Sequence, residues 1–382
     1  MSPHVDSSQF LAQWSNPGDI LSLLMIIGGE VIQRALAQVG GGILTPVTFS
    51  FGWVAYAFNS LTFVVGGGNI MPSADHETLL INGKQGYVRE NRSWILGRAV
   101  RDFDHWMPKT VDEVLQQMLT DAEQYDREAA RKSGGEDPFK NYKRERAGLC
   151  ISIFKTSDAV LKVPGVPSND WVYYSGIFVA LLQLGVAAIP VALSGQWSVI
   201  LITASGTLLA FASGALPQWG AEKWKCRRRE KTVTLTEGNG AQHAIVIIGQ
   251  SGALDLEDLA TGSGERSMVL STRACLVTLL VLWIMLLISV SGLEESRWFV
   301  ILVGSIGMVH NVVVAGAPRR PEAFGLHLEF VKVIGNVKAM KALMALEETY
   351  PRVGASLVPI FFPGKLRKDE ETFWNEQEKK NA

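Results

Sequence analysis

Apolar residues fall along this chain in runs of about twenty, the length a helix needs to cross the roughly 30 Å hydrocarbon core of a bilayer at 1.5 Å per residue. Run 274–291 holds no charge, and runs 173–193, 197–217 and 298–316 are nearly as clean. Run 43–65 is apolar apart from Thr, Ser and Asn59, whereas 19–38 is ambiguous because it carries Glu30, Gln33, Arg34 and Gln38. The runs pair into hairpins. Ser194-Gly195-Gln196 permits only a direct reversal, Gly292–Arg297 is nearly as short, and Gly40-Gly41-Gly42 makes the first reversal if 19–38 spans. The pattern predicts an α-helical polytopic membrane protein with about six transmembrane helices in three hairpins, over 19–65, 171–217 and 274–316. If 19–38 lies in the interface instead, five spans remain and the N-terminus changes side.

Between the hairpins lie polar segments 66–170, 218–273 and 317–382, which predict an α+β portion. Leu79–Asn82 and Gln85–Arg89 flank Asn82-Gly83, a strong hairpin signal. Helices are expected near 94–106 and over 110–132, the second opened by a capping box of Thr110 and Glu113. Thr232–Thr236 and His243–Ile248 read as strands that could join 79–90 in one small sheet. A helix is expected from about Glu322 to Tyr350, with Leu326, Phe330, Val333, Val337, Met340, Met344 and Leu346 along one stripe and Pro351 as its stop. The last dozen residues, rich in Glu and Lys, read as disordered.

Charge adds an orientation. Of 36 Lys and Arg residues, 34 lie in the three polar segments, and only Arg34 and Arg297 lie outside them. Cytosolic loops hold the excess of Lys and Arg, so all three segments are expected in the cytosol. Trp171, Tyr173, Tyr174, Trp219, Trp224 and Trp298 sit at the ends of runs, where headgroups favour them. A net charge of −1 argues against a nucleic-acid partner. Cys150, Cys226 and Cys275 form no spaced metal or disulfide set.

Few residues suggest chemistry. Glu30 and Arg34, four apart, read as an intrahelical pair or as part of a solute path, with Asn59 on the next run. His310 and Asn311 interrupt the last run; they suit hydrogen bonds to a neighbouring helix, or a proton relay through His310. Asp102, Asp104 and His105 are the nearest approach to a metal-ligand set, although a surface helix end explains them as well. Lys223, Lys225, Arg227, Arg228, Arg229 and Lys231 form a basic stretch that suits anionic lipid headgroups, as do Arg319 and Arg320, and Cys226 within it is a candidate for S-acylation. The sequence holds no nucleophile elbow, zincin motif, phosphate loop or Cys-x-x-Cys, so no cofactor is called for.

Three stretches are familiar together: Asn91-Arg92-Ser93-Trp94-Ile95-Leu96-Gly97-Arg98, Gln242–Gly249 with Leu254–Leu259, and Ala317-Pro318-Arg319-Arg320-Pro321-Glu322-Ala323-Phe324-Gly325. They resemble a family of filamentous-fungal multi-pass membrane proteins without an assigned biochemical role. The resemblance implies a membrane location and supplies no activity and no catalytic residue. The sequence therefore predicts a non-enzymatic integral membrane protein with a cytosolic interaction or regulatory portion. Its expected partners are the bilayer, anionic lipid at the cytosolic face, and a second copy or a cytosolic protein. Two alternatives stand beside this reading: a transporter or channel lined by Glu30, Arg34, Asn59 and His310, and a membrane enzyme acting on a lipid-soluble substrate with Asp102, Asp104, His105 or His243 in a cytosol-side pocket. Asn91-Arg92-Ser93 is a glycosylation sequon expected to stay unmodified in the cytosol.

Overall fold

A computed structural model describes residues 28–66, 68–132, 144–158, 162–262, 269–293 and 295–381. The chain divides into two units: Met1–Pro72 with Pro167–Trp224 and Glu265–Ala317, and Ser73–Val166 with Lys225–Gly264 and Pro318–Ala382.

The first unit is a helical bundle. Its described part opens with α1 (Gly29–Val39) and α2 (Trp53–Gly66). There follow α3 (Trp171–Ser194), α4 (Ser198–Gly214) with its short continuation α5 (Pro217–Lys223), α6 (Leu270–Ser291) and α7 (Arg297–Gly316). Among the described residues, four helices are long and apolar enough to cross a membrane: α3, α4 with α5, α6 and α7. Their outward faces are apolar as well: Phe178, Leu181, Leu201, Leu208, Met285, Ile288 and Val309 are each more than half exposed. A bundle in water hides such faces; one in lipid displays them.

The turns joining α3 to α4 and α6 to α7 are tied together, because Ser296 Oγ donates to Gln196 Oε1 and Gln196 Nε2 donates to Glu295 Oε2. Trp171, Gly214, Leu270 and Ala317 lie at the opposite end, the root of the bundle.

Within the described residues, the first expected hairpin, 19–65, is not two long helices. Residues 19–27 lie outside the described residues. Within 28–38, the helix starts only at Gly29, after Gly28 in a left-handed conformation (φ 98°). Run 43–65 is helical only from Trp53, and 44–50 is neither helix nor strand. Nor is Gly40-Gly41-Gly42 a reversal at the turn end. Lys223 Nζ donates to the carbonyls of Ala37 (3.0 Å) and Gly40 (2.8 Å), and Gln38 Nε2 donates to Ala317 O (2.9 Å), which puts this turn at the root.

The second unit is built on a six-stranded mixed sheet in the order β2-β1-β4-β5-β3-β6. The strands are β1 (Leu79–Asn82), β2 (Val88–Glu90), β3 (Leu149–Thr156), β4 (Thr232–Thr236), β5 (His243–Ile248) and β6 (Leu328–Asn336). Only β3 and β5 run parallel. The expected pairing of 79–90 with 232–248 occurs through β1 and β4, with Leu80 opposite Leu235. One face is packed through Ile81, Ile151, Ile153 and Val246 against Leu343, Leu346 and Leu357.

Two expectations for the last segment fail. The helix expected over 322–350 divides. A 3-10 turn at Pro321–Phe324 ends on Gly325 (φ 91°), β6 follows, and the helix covers only Ala339–Thr349. Val331, Val333 and Ile334 are β-branched and Phe330 is aromatic, both types that favour extended backbone, and β3 supplies a partner strand that the helical stripe ignored. The C-terminal residues read as disordered are helical over Lys368–Asn381, and the end is tied down by Asn381 Nδ2, which donates to Glu347 Oε1 (3.0 Å).

Candidate functional site: a non-helical segment inside the bundle

Residues 44–52 pass through the bundle as irregular backbone, and this sets the chemistry of its interior. The segment enters at the root, where Thr45 Oγ1 donates to Gly214 O (2.9 Å). It reaches the middle of the helices at Thr48 and Phe49. It turns at Gly52 (φ 95°), whose carbonyl accepts the N–H of Tyr56 (2.9 Å) as α2 begins. The chain is back at the root by Met71, whose N–H bonds Glu222 Oε2 (2.8 Å). The segment thus enters and leaves at one end.

Five glycines make the room. A Cβ on Gly176 would lie 1.9 Å from Pro46 O, and one on Gly307 would lie 1.8 Å from Phe49 O. Gly206, Gly214 and Gly304 face Phe49, Thr45 and Phe51 at 2.4–2.7 Å in the same sense. The aromatic side chains fill what remains: Trp53 stacks on Trp283 (5.1 Å between centroids, 8° between planes), and Phe49 lies 6.3 Å from the same ring.

Backbone that leaves a helix inside an apolar bundle needs other hydrogen-bond partners. Asn311 supplies them for Thr48. Its Oδ1 accepts from Thr48 N–H (3.3 Å) and Thr48 Oγ1 (3.0 Å), and its Nδ2 donates to Thr48 O (3.0 Å) and Ser50 Oγ (2.8 Å). Trp53 Nε1 also donates to Thr48 O (3.0 Å). Gln183 Nε2 donates to Phe49 O (2.6 Å) and Val303 O (2.8 Å), while its Oε1 is buried without a partner among the described residues. His310 lies between the segment and α3, with Nδ1 3.3 Å from Thr48 Oγ1 and Nε2 3.0 Å from Ser175 Oγ.

The intramembrane candidates therefore separate. His310 and Asn311 join the buried segment. Glu30 and Asn59 line a different hollow of about 560 Å³ with Gly28, Gly29 and Phe58, and Arg34 is exposed. They do not converge on one path. Sequence reasoning missed Thr48, Ser50, Ser175 and Gln183; the only trace of them is small polar residues set among glycines in apolar runs.

The basic residues also sort by burial. Lys223 is buried (3% exposed) and binds the end of α1 instead of standing free for lipid. Arg319 is buried too: its N–H bonds Asp102 Oδ2 (3.1 Å), and its guanidinium lies 5.3 Å from the Phe324 ring. Arg227 pairs with Asp258 (3.1 Å). Arg228, Arg229 and Arg320 are exposed, and Lys225 is half-buried. Burial pushes the Cys226 thiol up to about 12, with Asp258 and Asp255 adding to the shift, which makes it a poor nucleophile for acylation.

No group of three metal-ligating side chains occurs among the described residues. Asp102 is taken up by Arg101 (2.6 Å) and the Arg319 N–H, while Asp104 points to His243, 3.8 Å away, in a polar cleft of about 510 Å³ that His105 does not line. Burial holds the His243 imidazole below its usual range, against Asp104 and Glu237, so it is neutral near pH 7. Asn91 is buried, its Nδ2 donating to Ser93 O (2.8 Å). A charge cluster built on Glu257 joins three strands' worth of chain: its carboxylate accepts from Arg89 (2.9 Å), Asn82 (2.8 Å) and Lys231 (2.9 Å), and Lys231 also pairs with the fully buried Asp255.

Four apolar helices with apolar outer faces make this chain compatible with a membrane protein, with a mixed sheet as its second unit. Compared with known proteins, the chain matches no family model, no curated protein and no solved structure.

Proposed function

We propose that this is a multi-pass membrane protein that passes a small cation or polar solute, using residues 44–52 as its gate. Irregular backbone in the middle of an apolar bundle carries this reading. Such backbone is tolerated in a bilayer only when buried in protein or lining a cavity, and it is a recurring way to build ion and solute sites. The segment offers carbonyl and hydroxyl oxygens, and the unpartnered Gln183 Oε1 is an acceptor that a cation or water would satisfy. The five close-packed glycines fit a closed state. The sheet unit, on the cytosolic side by its Lys and Arg content, is the regulatory or docking portion of the same molecule. Exposed Arg228, Arg229 and Arg320 are its contacts with anionic headgroups.

The test is a flux measurement. Liposomes containing the purified chain are challenged with imposed Na⁺, K⁺ and proton gradients, and charge movement is recorded. A current above that of empty liposomes is expected, and Asn311→Ala should change it by freeing the Thr48 backbone. Traces equal to those of empty liposomes for every gradient would remove the cation reading.

A further inference from the structure

We infer that His310 is a proton-binding site wired for both of its protonation states by hydroxyls on two different elements. Asn311 Nδ2 faces Thr48 O, which can only accept, so the amide orientation is fixed and Asn311 Oδ1 must accept from Thr48. The Thr48 hydroxyl has one hydrogen. Its shortest contact is to Asn311 Oδ1 (3.0 Å), and the alternative Gly307 O is 3.3 Å away. With the hydrogen on that shortest contact, the Thr48 lone pairs face His310 Nδ1 at 3.3 Å, and the proton between them goes on Nδ1.

The other ring nitrogen meets a rotor. In the neutral ring, Nε2 accepts the Ser175 hydroxyl at 3.0 Å. In the charged ring, Nε2–H donates to Ser175 Oγ, and the serine hydrogen turns to Val172 O, already 2.9 Å away. No heavy atom has to move. Proton uptake converts two neutral contacts into charge-assisted ones, to α3 through Ser175 and to the buried segment through Thr48, and so tightens the segment's hold on the bundle.

No fixed charge opposes this from the elements around the ring. Helices α3 and α4 and residues 44–52 carry no Asp, Glu, Lys or Arg, although α3 has Tyr173 and Tyr174. Helix α7 carries only Arg297 at its far end, and the Glu30 and Arg34 of α1 are exposed. The inference rests on the geometry of the bundle and holds whether or not the segment gates a flux; failed flux with intact proton binding would sink only the transport reading.

The experiment is ¹⁵N NMR of the full-length chain, labelled at its six histidines and held in lipid nanodiscs, across about pH 4 to 8. The signal lost in His310→Gln is His310. It should show the Nδ1–H tautomer at the alkaline end and reversible protonation of both nitrogens toward the acid end. Thr48→Val removes the hydroxyl facing Nδ1 and leaves Ser175 at Nε2, and should switch the neutral tautomer to Nε2–H. Ser175→Ala should keep Nδ1–H but lower the doubly protonated fraction about threefold at the native half-point, since it removes the stronger, charge-assisted bond. An Nε2–H tautomer in the native chain, or no titration over that range, would overturn the proposal. So would a native-like tautomer in Thr48→Val and an unchanged fraction in Ser175→Ala, two readouts that a merely structural histidine would leave in place.

Discussion

At the scale of single residues, the bundle depends on side chains that are absent. Gly307→Ala would drive a methyl group against Phe49 O and the Gln183 amide, where backbone cannot yield as a flexible side chain would. The substitution should destabilise the chain by about 3 kcal/mol, the upper range for overpacking, and lower its melting temperature in detergent. Gly185→Ala, on a face with nothing within 4 Å, should be neutral, and equal losses in both variants would argue against the close approach. Glu257 makes the opposite case, a side chain held by many partners. Burial alone would raise its carboxyl, but hydrogen bonds from Lys231, Asn82 and Arg89 outweigh it and hold the group down at about 2. The unfolded value is about 4.3, so the stabilisation is full above that pH and fades as pH falls toward 2. Native chain should therefore lose stability between about pH 5 and 2 more steeply than Glu257→Gln in urea titrations. Parallel curves would show that the cluster contributes nothing. His310 and Asn311 were legible in the sequence as polar interruptions of an apolar run. Their partner was not, because 43–65 is as apolar as a span, and hydropathy reports where a chain lies and not whether its backbone is coiled.

At the scale of elements, the same blindness explains the errors at both ends of the chain. The helix α1 looked like half of a spanning hairpin, yet its C-terminal carbonyls are closed by Lys223, a residue 183 positions beyond Gly40. No local pattern could announce that contact. Its consequence separates two roles within one basic stretch. Lys223→Met leaves two carbonyls unmet and should lower stability by about 1–3 kcal/mol, while binding to phosphatidylserine vesicles stays unchanged. Arg228→Gln with Arg229→Gln should do the reverse, weakening vesicle binding and sparing stability, because both side chains are exposed. If Lys223→Met alone released the vesicles, its assignment as a cap would fall. For β6, the apolar residues were seen correctly and given the wrong period. Phe330 and Val333 satisfy the helical stripe while Val331 and Ile334 fall outside it, and the presence of β3 alongside decides for a strand. Strands β1 and β4 were each readable, because Asn82-Gly83 and the alternation at Val233 and Leu235 are local signals; their pairing stood only as a possibility, because no local signal links segments so far apart in the chain.

At the scale of the whole molecule, strand pairing supplies a constraint that charge alone did not. One sheet takes β1, β2 and β3 from the first polar segment, β4 and β5 from the second and β6 from the third. Strands that share hydrogen bonds share a compartment, so the chain between them must cross any membrane an even number of times. The pairs α3 with α4 and α6 with α7, each of two helices long and apolar enough to cross, meet that requirement. This agrees with the Lys and Arg asymmetry and makes the side of the sheet a single testable variable. Labelling with an impermeant maleimide in sealed vesicles of known orientation reads it, in a chain whose three cysteines have been replaced. Ser194→Cys in the α3–α4 turn should react from the non-cytosolic side, and Asn239→Cys in the β4–β5 turn only from the cytosolic side. Ile43→Cys, at a fully exposed position, distinguishes the entry of the buried segment from a true span. Because Thr45 and Met71 both sit at the root, Ile43→Cys should label with Asn239→Cys. Labelling of Ile43→Cys together with Ser194→Cys would restore 43–65 as a crossing and would move Thr48 out of the hydrogen-bond network that the transport reading requires.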